Sequence, residues 1–173
     1  MSFLVWVLTM NESVSVDIEK LVSEKITKGV VGSSLSLENR KLGDEGVSKL
    51  SNLEILSEIV CLELGENDIS DEGLKVLCNS PYIENLRTLN LKSNNITELG
   101  AKSIAESPKL AKLEHLILKF NRVGEMGATY LAESETLTNL STLDLFRNRI
   151  GDKGSQIIKK SKNFRGVSRM RLD

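Results

Sequence analysis

The chain has 173 residues, 40% of them hydrophobic and 27% charged, and its 23 basic and 24 acidic side chains leave a formal charge of −1. That length suits one domain with a substantial core, and the balance of charge argues against general binding to a phosphate backbone, which needs a clustered positive surface. The two cysteines, Cys61 and Cys78, form no CxxC pair and no disulfide-rich spacing, a usage that fits a reducing compartment.

The first unit, residues 1–34, is the least regular. Trp6 to Asn11 reads W-V-L-T-M-N, a degenerate copy of a phrase that governs the rest of the chain, and Ile18, Leu21 and Val22 then stand at helical spacing. This predicts an N-terminal capping unit, with two extra residues before the regular repeats begin at Leu35. The competing reading makes Phe3 to Met10 a targeting or membrane segment. Its apolar run falls far short of the roughly 20 residues a span requires, and no basic residue precedes it.

From Leu35 the phrase restarts every 27 residues, placing Leu62, Leu89, Leu116, Leu143 and Met170 at one phase. Its lines are LSLENRKL, LELGENDI, LNLKSNNI, LILKFNRV and LDLFRNRI. A period of this length signals stacked supersecondary units rather than one layered core. In each L-x-L segment the alternating side chains of a strand put both leucines on one face and the residue between them on the other. Asn67, Asn94, Asn121 and Asn148 follow where the strand must turn away. An amide carries both donors and acceptor, so the column predicts a structural asparagine ladder that satisfies turn backbone.

Glycines recur at Gly46, Gly73, Gly100, Gly127 and Gly154, opening segments with apolar residues three and four apart, as on a helix face. The missing Cβ predicts close approach of a neighbouring helix or turn. Ser70 and Thr97 suit helix N-caps, with Asp71, Glu72 and Glu98 near the positive end of the helix dipole. Serines recur at Ser80, Ser107, Ser134 and Ser161, two of them followed by Pro81 and Pro108, where a helix has to stop. The last unit ends in the strand Met170 to Asp173, which predicts an open sheet edge guarded by Arg169, Arg171 and Asp173.

These lines together resemble the leucine-rich repeat of the long, helix-containing kind found in ribonuclease inhibitor, over residues 35–173. The resemblance implies an α/β solenoid in which a curved parallel sheet forms the concave face and helices form the convex face. It implies five repeats plus a terminal strand, in one continuous domain with the capping unit. It also implies that a protein partner binds on the strands' outward face.

Catalysis finds little support. His115, the single histidine, has no accompanying nucleophile motif, and Asp44, Asp71 and Asp152 recur at one helix-start phase, where capping explains them. No metal cluster, phosphate loop or cofactor motif is expected.

On the outward positions, Glu38, Glu63 and Glu66 fall in the early repeats and Lys92, Lys119, Arg147, Arg169 and Arg171 in the later ones, predicting a face that runs from negative to positive. Ile117, Phe120 and Phe146 stand where other repeats carry mostly polar residues or glycine. Apolar anchors amid polar and cationic neighbours have the composition of an interaction hot spot. The candidate partner-binding patch is therefore Ile117, Phe120 and Phe146, rimmed by Lys92, His115, Lys119 and Arg147. In the competing reading the two phenylalanines tuck beneath the asparagine ladder and add to the core.

The expected function is a non-enzymatic protein-binding module, acting as a monomer, in the cytoplasm, with no nucleic acid or membrane partner. Self-association through the terminal strand edge is the alternative to the monomer. An inhibitor or regulator of an enzyme, a GTPase activator, and a bacterial effector secreted into a host cell are the alternative functions.

Overall fold

The computed structural model describes residues 17–29 and 32–173. Trp6 to Asn11 and Phe3 to Met10, on which the cap and targeting readings turn, lie outside the described residues. Seven strands form one sheet in chain order: β1 (Ile26–Lys28), β2 (Ser33–Ser36), β3 (Ile59–Glu63), β4 (Thr88–Asn90), β5 (His115–Ile117), β6 (Thr142–Asp144) and β7 (Arg169–Arg171). From β2 to β7 every pairing is parallel, and the repeat columns are in register: Leu62 faces Leu89, Leu116 faces Leu143, and Leu143 faces Met170.

Helix α1 (Ile18–Lys25) precedes β1. Helices α2 (Gly43–Ser51), α3 (Asp71–Cys78), α4 (Glu98–Glu106), α5 (Gly124–Glu133) and α6 (Gly151–Lys160) each connect one parallel strand to the next and pack on the helix before. Packed helices sit 8–10 Å apart whereas paired strands sit about 4.8 Å apart, so a stack with strands on one side and helices on the other bends around its sheet. The solenoid expected from the period is the observed architecture, with the sheet on the inner side.

Its core is the paired-leucine column. Leu62, Leu64, Leu89, Leu91, Leu116, Leu118, Leu143 and Leu145 are all fully buried, and burying each side chain contributes roughly 1.5–3 kcal/mol against exposure. Beneath the turns runs the asparagine ladder. Asn94 Nδ2 donates to the carbonyls of Leu64, Leu91 and Lys92 at 3.0, 3.0 and 3.3 Å, while its Oδ1 accepts from the Asn67 and Ile69 amides at 3.1 Å each. Asn67, Asn121 and Asn148 repeat the pattern. Asp173 completes it: its two carboxylate oxygens accept from Asn148 N at 2.9 Å and Ile150 N at 2.7 Å. One acidic side chain thus takes the acceptor role that an asparagine plays in the repeats before.

A second ladder has no counterpart in the sequence expectations. Ser80, Ser107, Ser134 and Ser161 each donate Oγ–H to a carbonyl near the end of the preceding helix, those of Ser51, Cys78, Ala105 and Ala132, at 2.5–2.6 Å. The serine column therefore ties consecutive helix C-termini together and satisfies carbonyls that a helix end leaves orphaned. At the helix starts, the Asp44 carboxylate accepts from Ser70 N at 2.8 Å and Ser70 Oγ at 2.5 Å, and Asp71 does the same for Thr97 at 2.8 and 2.5 Å. These acidic residues, placed in the first turn of their own helices, thus hold the N-cap residue of the next repeat's helix. The glycine column is confirmed as a close-packing feature, since a Cβ on Gly73 would lie 2.4 Å from Asp44 Oδ1 and one on Gly100 2.5 Å from Asp71 Oδ1.

The N-terminal side differs from a plain repeat. Helix α1 buries Ile18 and Val22 as the spacing predicts, but the chain then returns as β1, which pairs antiparallel with β2. β1 covers what would otherwise be the open edge of β2.

Candidate functional site

Three outward-facing columns cross the sheet. Residues before the first leucine form one (Cys61, Thr88, His115, Thr142, Arg169), and residues between the leucines form the second (Glu63, Asn90, Ile117, Asp144, Arg171). The third follows the second leucine: Gly65, Lys92, Lys119, Phe146, and beside it Glu66, Ser93, Phe120, Arg147. In that last position the backbone is left-handed, with φ of 59° at Glu66, 53° at Ser93, 61° at Phe120 and 57° at Arg147.

In the early repeats these columns satisfy one another. Lys92 Nζ lies 3.2 Å from Glu38 Oε2 and 3.5 Å from Glu66 Oε1. Asn90 Nδ2 donates to Glu63 Oε2 at 2.5 Å and Glu38 Oε1 at 3.2 Å. Burial works against the Lys92 charge, but the hydrogen bonds and charges of Glu38 and Glu66 outweigh it and raise its pKa above the usual 10.5. Cys61, which donates to Glu63 at 3.4 Å, is pushed up to about 11 by burial first and the Glu63 charge second. Its thiol is therefore a poor nucleophile.

The later repeats look different. Phe120 and Phe146 meet edge to face, with ring centroids 5.9 Å apart and planes at 80°. Phe120 is 42% exposed and Phe146 half-buried, so neither tucks beneath the ladder. The Arg147 guanidinium lies 5.5 Å from the Phe120 centroid and 5.6 Å from that of Phe146, and Arg171 lies 5.2 Å from Phe146. Ile117 is half-buried between Asn90 and Asp144 in the register. Asp144 is spoken for, because it accepts from Phe146 N at 3.1 Å and lies 3.5 Å from Arg171.

Of the seven residues expected in the patch, the structure thus places Phe120, Phe146 and Arg147 in one cluster, with Ile117 and Lys119 on the same later strands and turns. Lys92 belongs to the acidic network instead. His115 sits on the neighbouring column, its Nδ1 3.0 Å from Thr142 Oγ1 and 3.3 Å from Ser141 Oγ. Ser141 Oγ in turn donates to the Glu114 carbonyl at 3.1 Å. Hydroxyls on one ring nitrogen hold the imidazole in place, and among the described residues no carboxylate orients it as a general base would require.

A family model described as the leucine-rich repeat matches residues 59–78, 82–105 and 136–156. Those segments cover β3 with α3, β4 with α4, and β6 with the start of α6. These are leucine-rich repeats. No curated protein matches the chain. Repeats of this class generally mediate protein–protein interaction, and no catalytic family is indicated.

Three cations beside the patch were not assigned to it from the sequence, where Arg171 was placed on the outward face and Arg122 and Arg149 were not singled out. Arg171 contacts the aromatic pair, and Arg122 and Arg149 join Phe120 and Arg147 around a cleft of about 490 Å³. A windowed charge count would have found two of them. Residues 147–173 hold nine basic and two acidic side chains, a formal +7 in a chain of −1, and all nine basic residues are exposed. The argument from overall charge balance therefore fails at this end: the charges are balanced in number but segregated in space.

Proposed function

We propose that this leucine-rich repeat protein is a non-enzymatic binding module that holds a protein partner on the later half of its concave face, against Phe120, Phe146 and Ile117. The carrying observation is Phe120. An L-residue with a bulky side chain in the left-handed region costs on the order of 1 kcal/mol, and exposing an aromatic ring forgoes burial energy as well. The other residues of that column, Asn39, Glu66, Ser93 and Arg147, are all polar. Folding gains little from Phe120 that a polar residue would not supply, so its placement favours a role toward a partner. Arginine and aromatic side chains packed together are the residue types that dominate binding energy at interfaces. The unpaired thiols Cys61 and Cys78 support a cytoplasmic setting for the same reading.

Affinity capture with the wild type and a folded Phe120→Ser/Phe146→Ser variant tests it. A protein retained by the wild type and lost by the variant, per folded molecule, is the expected result. Equal capture by both would remove the site from this face.

A further inference from the structure

Resting on that reading, we infer that the partner presents an anionic side chain beside an apolar one, in a peptide segment that seats the apolar group on Phe120 and the anion among Arg122, Arg147 and Arg149. The cleft beside Phe120 is lined by these three guanidinium groups together with Asn121 and Asp173. All three arginines are exposed, and none pairs with an acidic residue among the described residues. Asp173 is the one acidic side chain of the lining, and both its side-chain oxygens already accept backbone amides of the asparagine ladder at 2.9 and 2.7 Å.

The contrast with Lys92 shows what an intramolecular solution looks like. There two glutamates at 3.2 and 3.5 Å take up the cation, whereas Arg122, Arg147 and Arg149 wait beside an exposed ring. Clustered guanidinium groups present paired N–H donors that match a carboxylate or a phosphoester. The aromatic pair, already faced by Arg147 and Arg171, supplies the apolar half of the recognition.

A polynucleotide fits the same charge less well. Lys153, Lys159 and Lys160 lie on α6, which sets them on the helical side of the sheet. The cations therefore do not form one continuous track on the face that carries the rings, as a phosphate backbone requires.

The test is an array of random-sequence peptides that includes phosphoserine among its building blocks, probed with the labelled full-length protein. Bound peptides should be enriched in Asp, Glu or phosphoserine next to Leu, Ile or Phe, and the relative enrichment separates the carboxylate from the phosphoester source. Replacing the acidic residue of a bound peptide by Gln should weaken binding roughly tenfold, as loss of a charge-assisted hydrogen-bonded pair predicts. Arg149→Gln, at an exposed position, should weaken it similarly while Lys92→Met does not. Absence of acidic enrichment, or displacement of the peptides by a thymidine oligonucleotide at lower concentration, would overturn the inference. If aromatic-dependent capture survives that result, the concave-face reading stands without this chemistry. If the Phe120→Ser/Phe146→Ser variant binds the peptides as well as the wild type, both fall together.

Discussion

The two halves of the inner face are built on the same scaffold and finished differently. Around β3 and β4 the outward residues answer one another, with Lys92 held by Glu38 and Glu66 and Asn90 held by Glu63 and Glu38. Around β5 to β7 they leave an exposed ring and, in Arg122, Arg147 and Arg149, three guanidinium groups that pair with no acidic residue among the described residues. Beneath both halves the leucine columns and the two ladders are unchanged. Repetition supplies stability, and departures from repetition on the outward columns supply whatever specificity the molecule has.

The largest expected effect therefore ignores the difference between the halves. Asn94→Ala removes three donated and two accepted hydrogen bonds and strands buried backbone groups on two adjacent repeats. Each such group costs about 1–3 kcal/mol, so the loss should reach roughly 3–5 kcal/mol, read by urea unfolding. Both halves should unfold together, as shown by probes placed in each. Separate transitions would mean that the ladder does not couple them.

Next comes a pair of substitutions that should divide stability from binding. Phe146→Ser should cost no more than about 1 kcal/mol, since it gives up an edge-to-face contact and partial burial, yet reduce partner capture strongly. Lys92→Ser should cost a similar amount, about 1 kcal/mol, because it releases Glu38 and Glu66 from a half-buried network, and leave capture unchanged. A reversed result, with capture lost through Lys92, would move the site to the acidic half.

Much of this was legible in the sequence, and the reason is the period. The leucines, asparagines, glycines and capping residues recur in columns, so each element is specified several times over. The serine ladder was visible as a column but not as a set of bonds, because its acceptors are backbone carbonyls 29 residues away and carry no side-chain signature. The β1 return was hidden for the opposite reason: it occurs once and breaks the period. At the candidate site, Phe120 and Phe146 stood out as departures from their columns, and Arg147 as an outward cation beside them. Arg122 and Arg149 did not, since they lie beyond the strand and are gathered by the turn. Lys92 was assigned to the wrong neighbourhood because charge along a face was read without asking which opposite charges lie within reach.

Alkaline pH should separate the halves more gently. Burial pushes the Cys78 thiol up to about 12 and, together with Glu63, the Cys61 thiol up to about 11, from the usual 9.0. A thiol that resists ionisation in the fold but ionises freely when unfolded contributes stability that is whole below pH 9.0 and falls as pH rises toward the folded value. For Cys78, which is 3% exposed, the slope approaches about 1.4 kcal/mol per pH unit. Lys92 acts in the same direction, because its raised pKa means stability is lost as pH climbs past 10.5. All three groups belong to the early repeats. Cys78→Ala, which installs the residue found at Ala105 and Ala132, should flatten the decline in unfolding midpoint above pH 9.0. An unchanged decline would place the alkaline sensitivity in groups other than the Cys78 thiol.

The smallest effect is the most discriminating. Phe120→Asn puts into the left-handed position (φ 61°) the residue type already present at Asn39 (φ 54°), a type that tolerates this conformation better than phenylalanine. The gain in backbone comfort, of order 1 kcal/mol, opposes the loss of the Phe146 contact, of order 0.5–1.5 kcal/mol. The net change in stability should lie within about 1 kcal/mol of zero. A drop of several kcal/mol would mean that the ring is part of the structural core after all, and that its exposure is incidental. A midpoint that holds or rises, with capture lost, would mean that the chain retains a conformationally costly residue there for what it binds.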